Sequence, residues 1–130
     1  MLKIKDYLER VGEPYLSFYE NIKGEFNRKC PSHPGSQKKE GGLGIHTLQV
    51  IEKALELNQG LDEKDIIITA FMHDLIKTLP LTSCQQMAID ATKGKVTYKG
   101  WRKSGCDKLV VLILIADMWS AFINIDNNGR

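Results

Sequence analysis

Apolar residues recur along the chain mainly at helical spacing. Leu2, Ile4, Leu8 and Val11 mark a short amphipathic helix over 3–10. Leu16, Phe18, Tyr19 and Ile22, behind Pro14, mark a second over 14–23. Leu43, Thr47, Val50, Ile51, Ala54 and Leu55 share one stripe and predict a longer helix over 43–58, stopped by Asn58 and Gly60. Another helix is predicted over 62–78, begun by Asp62 with Asp65 in its first turn, where carboxylates suit the helix dipole, and ended by Pro80. Thr82-Ser-Cys-Gln85 has the pattern of a capping box and opens a short helix to about Ala91. Residues 106–123 are β-branched enough for a strand but too long for one, so a buried helix is expected. Two segments lack this periodicity. Residues 30–42 hold two prolines and three glycines and read as a loop. Residues 93–108 are glycine-rich and basic, and the alternation at Val96 and Tyr98 allows a short β-hairpin within 94–104. The expected fold is all-α, a compact helical bundle with that hairpin as its one departure.

Length and charge narrow the picture modestly. A chain of 130 residues fits a single domain, 1–130, able to bury a core without disulfides. The formal charge is only +2 with acids and bases mixed, so no general polyanion-binding character follows and any preference for phosphate must come from local placement. Cys30, Cys84 and Cys106 are odd in number and form no CxxC pair, so free thiols in a reducing cytoplasm are expected. The N-terminus has charges throughout and no apolar core of a signal peptide. Leu109 to Ala116 falls far short of the roughly 20 apolar residues that span a bilayer, so no membrane partner is expected.

Four residues break this apolar patterning. His73 and Asp74 sit side by side in the run Ile66-Ile-Ile-Thr-Ala-Phe-Met-His-Asp-Leu-Ile-Lys77, where both are costly to bury unless something binds them. His46 lies on the inward stripe of the preceding helix, and Asp117 interrupts the last apolar segment. Two imidazole nitrogens and two carboxylate oxygens suit a divalent ion of intermediate hardness, such as manganese, iron, cobalt, nickel or zinc, with magnesium a further candidate. Such an ion lowers the pKa of bound water and polarises a phosphoryl or carbonyl group. His46 and His73, inward on consecutive helices, can converge. Each histidine taken alone also fits a hydrogen-bonded core residue, and a buried Asp117 without an ion would need a cationic or hydrogen-bonding partner. On the helix predicted over 62–78, His73 and Asp74 diverge by about 100° and can approach one ion only from the boundary of two faces.

The basic loop offers a second candidate. Lys99, Arg102 and Lys103 interleave with Tyr98 and Trp101. This pattern is either a solvated loop whose aromatics cap the core or a substrate lip, with the cations meeting phosphates and the aromatics stacking on a base. Lys38, Lys39 and His33 read first as ordinary loop residues, and Trp119 as core.

Gly41-Gly-Leu-Gly-Ile-His46-Thr-Leu, His73-Asp74-Leu-Ile-Lys77 and Ala116-Asp117-Met together resemble the HD-domain metal-dependent phosphohydrolase superfamily, with its H…HD…D pattern on a helical scaffold. The resemblance covers roughly residues 28–121. It implies that His46, His73, Asp74 and Asp117 ligate a metal and that Lys77 lies near a substrate phosphate. Having only three histidines, the chain lacks the set that two-metal branches use, which implies one ion. Lys77 also stands where deoxynucleotidase-like members carry a glutamate. The expected activity is hydrolysis of a phosphate ester, a nucleotide or a nucleic-acid end, by metal-activated water, with Asp74 also orienting the water. Phosphorylated small molecules or nucleotides are the expected partners, with single-stranded nucleic acid a further candidate. The alternative is a catalytically weak nucleotide-binding or partner-docking module with a structural metal.

Overall fold

The computed structural model describes residues 2–29, 41–76 and 78–123, with side chains as far as Phe122. Described helices are α1 (Ile4–Val11), α2 (Tyr15–Ile22), α3 (Gly42–Leu57), α4 (Glu63–Met72), α5 (Ser83–Thr92), α6 (Tyr98–Trp101) and α7 (Asp107–Met118). A 3-10 turn, Lys23–Asn27, follows α2, and a π-helical turn, Trp119–Ile123, continues α7. No strand occurs among the described residues, and none of their helices is long and apolar enough to cross a membrane. The fold is all-α. The expected hairpin is replaced by α6, because the alternation at Val96 and Tyr98 is too short to outweigh local helical bonds such as Arg102 N–H to the Tyr98 carbonyl at 2.9 Å.

α4 forms the centre, with every residue from Ile66 to Met72 buried. Its start is as expected: the Asp62 carboxylate accepts the Lys64 N–H at 2.9 Å. α3 packs along it, and α7 packs on α3 and α5 through Leu109, Val110, Leu112, Ile113 and Ala116. The ring of Phe71 stacks on Phe26 at 5.7 Å and meets Phe18 and Tyr19 edge-on, which seats α2 and the 3-10 turn against α4.

Two glycines make the start of α3 possible. Gly41 has φ +85°, a region that L side chains rarely adopt, and a Cβ added at Gly44 would lie 3.2 Å from the Phe26 carbonyl oxygen. This close approach lets the main chain before α3 cap it. Asn27 accepts the Gly41 N–H at 2.7 Å, and Arg28 accepts the Leu43 N–H at 2.9 Å, partnering a first-turn donor that has none inside the helix.

The capping box of α5 is present: Thr82 Oγ1 accepts the Gln85 N–H, and Gln85 Oε1 accepts the Thr82 N–H. The buried Gln85 amide also donates to Asp65 Oδ1 at 2.9 Å, tying α5 to the first turn of α4. Nearby, Cys84 and Cys106 form a disulfide, Cα to Cα 5.1 Å, at the start of α5 and the N-cap of α7. The expectation of free thiols is therefore corrected for this pair. Packing of α5 on α7 brings together two residues that sequence spacing leaves unrelated, and their pairing removes the thiol-based ground for a reducing compartment. Cys30 lies outside the described residues.

Candidate metal centre

The predicted helix over 62–78 ends early, at Met72. His73 keeps helical backbone angles as the C-cap but turns its ring back, so that Nδ1–H donates to the Ala70 carbonyl at 2.6 Å. That carbonyl belongs to the last turn, where acceptors lack partners within the helix. This bond satisfies an orphan acceptor at the helix end and turns Nε2 toward Asp74, Asp117 and His46. Asp74 follows within the turn closed by the Leu75 N–H to Met72 carbonyl bond at 3.1 Å, and its carboxylate reaches the same point, 3.0 Å from His73 Nε2.

His46 lies in the second turn of α3 and is fully buried. Its Nδ1 is 2.9 Å from Ser120 Oγ, and Ser120 gives its only proton to Gln49 Oε1 at 2.7 Å. With that proton placed on Gln49, Ser120 Oγ accepts from His46 Nδ1–H, and Nε2 of the ring faces Asp74, Asp117 and His73. Asp117 enters from the last turn of α7.

The four groups converge closely. His46 Nε2 is 2.8 Å from Asp117 Oδ1 and 3.3 Å from Asp74 Oδ2. His73 Nε2 is 3.0 Å from Asp74 Oδ2 and 3.3 Å from Asp117 Oδ1. The two Nε2 atoms lie 3.2 Å apart, and all four ligand atoms fall within 4.8 Å of one another. Ligands at about 2.0–2.2 Å from one ion stand about 2.8–3.6 Å apart when adjacent, so these separations fit the inner ring of a single cation. The imidazoles are buried, whereas the side chains of Asp74 and Asp117 are 35% and 22% exposed, so the carboxylates form the open side.

No family model, curated protein or solved structure matches the chain. What the site can do therefore rests on its own chemistry.

Two nitrogen lone pairs and two carboxylates cannot share this space without positive charge between them. Burial opposes ionisation of all four groups, but their mutual attraction outweighs it. Hydrogen bonds with Asp117 and Asp74 raise the pKa of His46, and attraction to Asp74 with a hydrogen bond to Asp117 holds His73 well above the usual imidazole value. The histidines in turn hold Asp74 and Asp117 well below the usual carboxylate range. Protons on Nε2, or a metal ion in their place, supply that charge. The group His46, His73, Asp74 and Asp117 can thus hold a metal ion.

The cations of the basic loop stand apart from this cluster in the described structure. Lys99, Arg102 and Lys103 are exposed, and among the described residues none shares a hydrogen bond or ion pair with the four ligands. Arg102 instead lies over the Tyr98 ring, which meets Trp101 edge-on. About 15 Å of helical rise separates Asp107, which follows this segment, from Asp117. Lys77, His33, Lys38 and Lys39 lie outside the described residues.

Three neighbours went unnoticed in the sequence. Ser120 and Gln49 each stand one turn from a ligand, at i+3 from Asp117 and His46, and that spacing was the available signal. Arg28, whose Nη2 donates to the Asp74 carbonyl at 3.2 Å, carries no local signal because tertiary packing brings it there.

Proposed function

We propose that this protein is a mononuclear metal-dependent phosphohydrolase of the HD-domain type, acting on a phosphate ester such as a nucleotide or a nucleic-acid end. The observation that carries the reading is the convergence of two buried imidazole Nε2 atoms, both with Nδ1–H committed elsewhere, on two carboxylates at the open end of the bundle. His46, His73, Asp74 and Asp117 would hold the ion. When bound, a divalent ion supplies Lewis acidity that acidifies water and draws charge from a phosphoryl oxygen. Ser120 and the Ala70 carbonyl keep the imidazoles in the ligating tautomer, which fixes the direction of both Nε2 lone pairs. Asp74, the more exposed carboxylate, would accept a hydrogen bond from the attacking water and orient it. Lys77, in the sequence position that follows this loop, is the proposed partner of a phosphate oxygen.

The test is direct. Protein loaded with manganese, cobalt or nickel should hydrolyse an aryl phosphate, a phosphodiester or one member of a nucleotide panel. His73→Ala should abolish that turnover while circular dichroism shows the helices retained. Full activity in His73→Ala would sink the assignment. Calorimetric binding of nucleotides without turnover, across all three metals, would instead favour the binding module with a structural metal.

A further inference from the structure

Arg28 is the one cation that the described structure ties directly to the ligand loop. Its main-chain carbonyl is fixed to the first turn of α3 through Leu43 N–H, one turn before His46. Its side chain reaches across to the other half of the site. Nε–H donates to the Glu25 carbonyl at 3.3 Å, and Nη2 donates to the carbonyl of Asp74 at 3.2 Å. A guanidinium has five N–H donors in one plane, and these two bonds leave the others uncommitted among the described residues. The side chain is 42% exposed, so the remaining donors are within reach of a ligand.

Beside it lies a hollow of about 480 Å³, lined among the described residues by Asn21, Ile22, Gly24, Glu25, Arg28 and Ile76. Its size falls in the range of small-molecule sites, about 300–1,000 Å³. Ile76, two positions after the ligand Asp74, leaves 78% of its surface in solvent, although a large aliphatic side chain gains by being covered. One wall is therefore cationic and one apolar, and both belong to segments that carry or touch metal ligands.

We infer that Arg28 is the anion-binding arm of the centre: its guanidinium takes a phosphoryl oxygen of the bound ester, and the adjoining hollow receives the ester's apolar or aromatic body. This rests on the reading of the four ligands as a metal centre. Arginine suits the role because its fork of donors matches paired phosphate oxygens. Glu25 is the opposing charge. Its Oε1 is 3.8 Å from Arg28 Nη2, is buried, and has no hydrogen-bond partner among the described residues. It holds the guanidinium in place and also weakens its pull on an anion, so removing the charge on Glu25 strengthens anion binding.

The experiment uses the full chain with manganese and inorganic phosphate. Free manganese measured by electron paramagnetic resonance gives metal affinity, and paramagnetic broadening of the phosphorus resonance gives phosphate affinity for the loaded protein. Arg28→Ala should weaken phosphate binding by about tenfold or more while changing manganese affinity by less than about threefold. Arg28→Lys should fall between it and the parent, and Glu25→Gln should bind phosphate at least as tightly as the parent. Ile76→Ser should weaken binding of a non-hydrolysable aryl phosphonate and leave inorganic phosphate unchanged. Unchanged phosphate affinity in Arg28→Ala overturns the inference and leaves the metal centre standing. Loss of phosphate only in step with manganese overturns it too, making Arg28 a brace for the Asp74 loop. Parent protein that binds no manganese overturns the metal centre itself, a different result from either.

Discussion

Ser120 shows how much a single hydroxyl can decide at this site. Without an acceptor at Nδ1, His46 loses the bond that selects its tautomer, and a proton on Nε2 then blocks ligation. Ser120→Ala should lower metal affinity about 10- to 100-fold, measured by competition against a chelator, with helical content unchanged. Ser120→Thr, which keeps the hydroxyl, should restore most of it, and the visible spectrum of the cobalt-loaded protein should shift in the alanine variant alone. Equal affinity in all three would show that the hydroxyl does not orient the ring. The four ligands were legible in the sequence because each is a charged or imidazole group set in an apolar stretch. Ser120 was not, since a small hydroxyl at the end of an apolar helix is unremarkable without knowing what faces it. Arg28 could not be found at all from spacing, because its nearness to Asp74 is made by the aromatic stack of Phe26 on Phe71.

The helices expected from periodicity are present, and the departures lie where a side-chain bond or a short-range turn overrides the apolar pattern. The apolar run through Leu75 and Ile76 continues the helical period past Met72, but His73 spends its Nδ1–H on Ala70 and the chain turns out, exposing Ile76. The Cys84–Cys106 bond is a second case, linking helices whose sequence separation is 22. Closing a loop of this length stabilises by about 3 kcal/mol in the chain-entropy account. Reduction, or the double substitution Cys84→Ser with Cys106→Ser, should lower unfolding free energy by up to about that amount in denaturant titrations. Metal affinity should change little, because the bond sits at the start of α7 and Asp117 near its end. A large drop in metal affinity on reduction would show that the two ends of α7 are coupled. Gly44→Ala tests the close approach of α3 to the 3-10 turn. The added methyl meets a carbonyl held by the buried Phe26, so the variant should lose about 1–3 kcal/mol despite alanine's better helix propensity. A more stable variant would show that Phe26 can yield.

Across the whole molecule, the metal centre and the stability of the bundle are linked through protons. In the metal-free protein the histidines have raised pKa values. Their contribution is complete below about pH 6.5, the ordinary imidazole value, and is lost as pH rises through the folded-state values. The carboxylates have lowered values, so their contribution is complete above about pH 4 and is lost as pH falls through the folded-state values. The metal-free cluster therefore favours folding most between about pH 4 and 6.5 and progressively less on the alkaline side. A bound ion reverses the alkaline trend, because ligation needs both Nε2 atoms deprotonated and the ion competes with those protons. Metal in hundredfold excess over its Kd stabilises by about 2.7 kcal/mol, and Kd itself falls as pH rises, so the gain grows with pH. Thermal melts with and without manganese or zinc should show a larger rise in Tm at pH 8 than at pH 6, and none at either pH in His73→Ala. A rise independent of pH, or one that survives in His73→Ala, would place the ion somewhere other than among these four side chains.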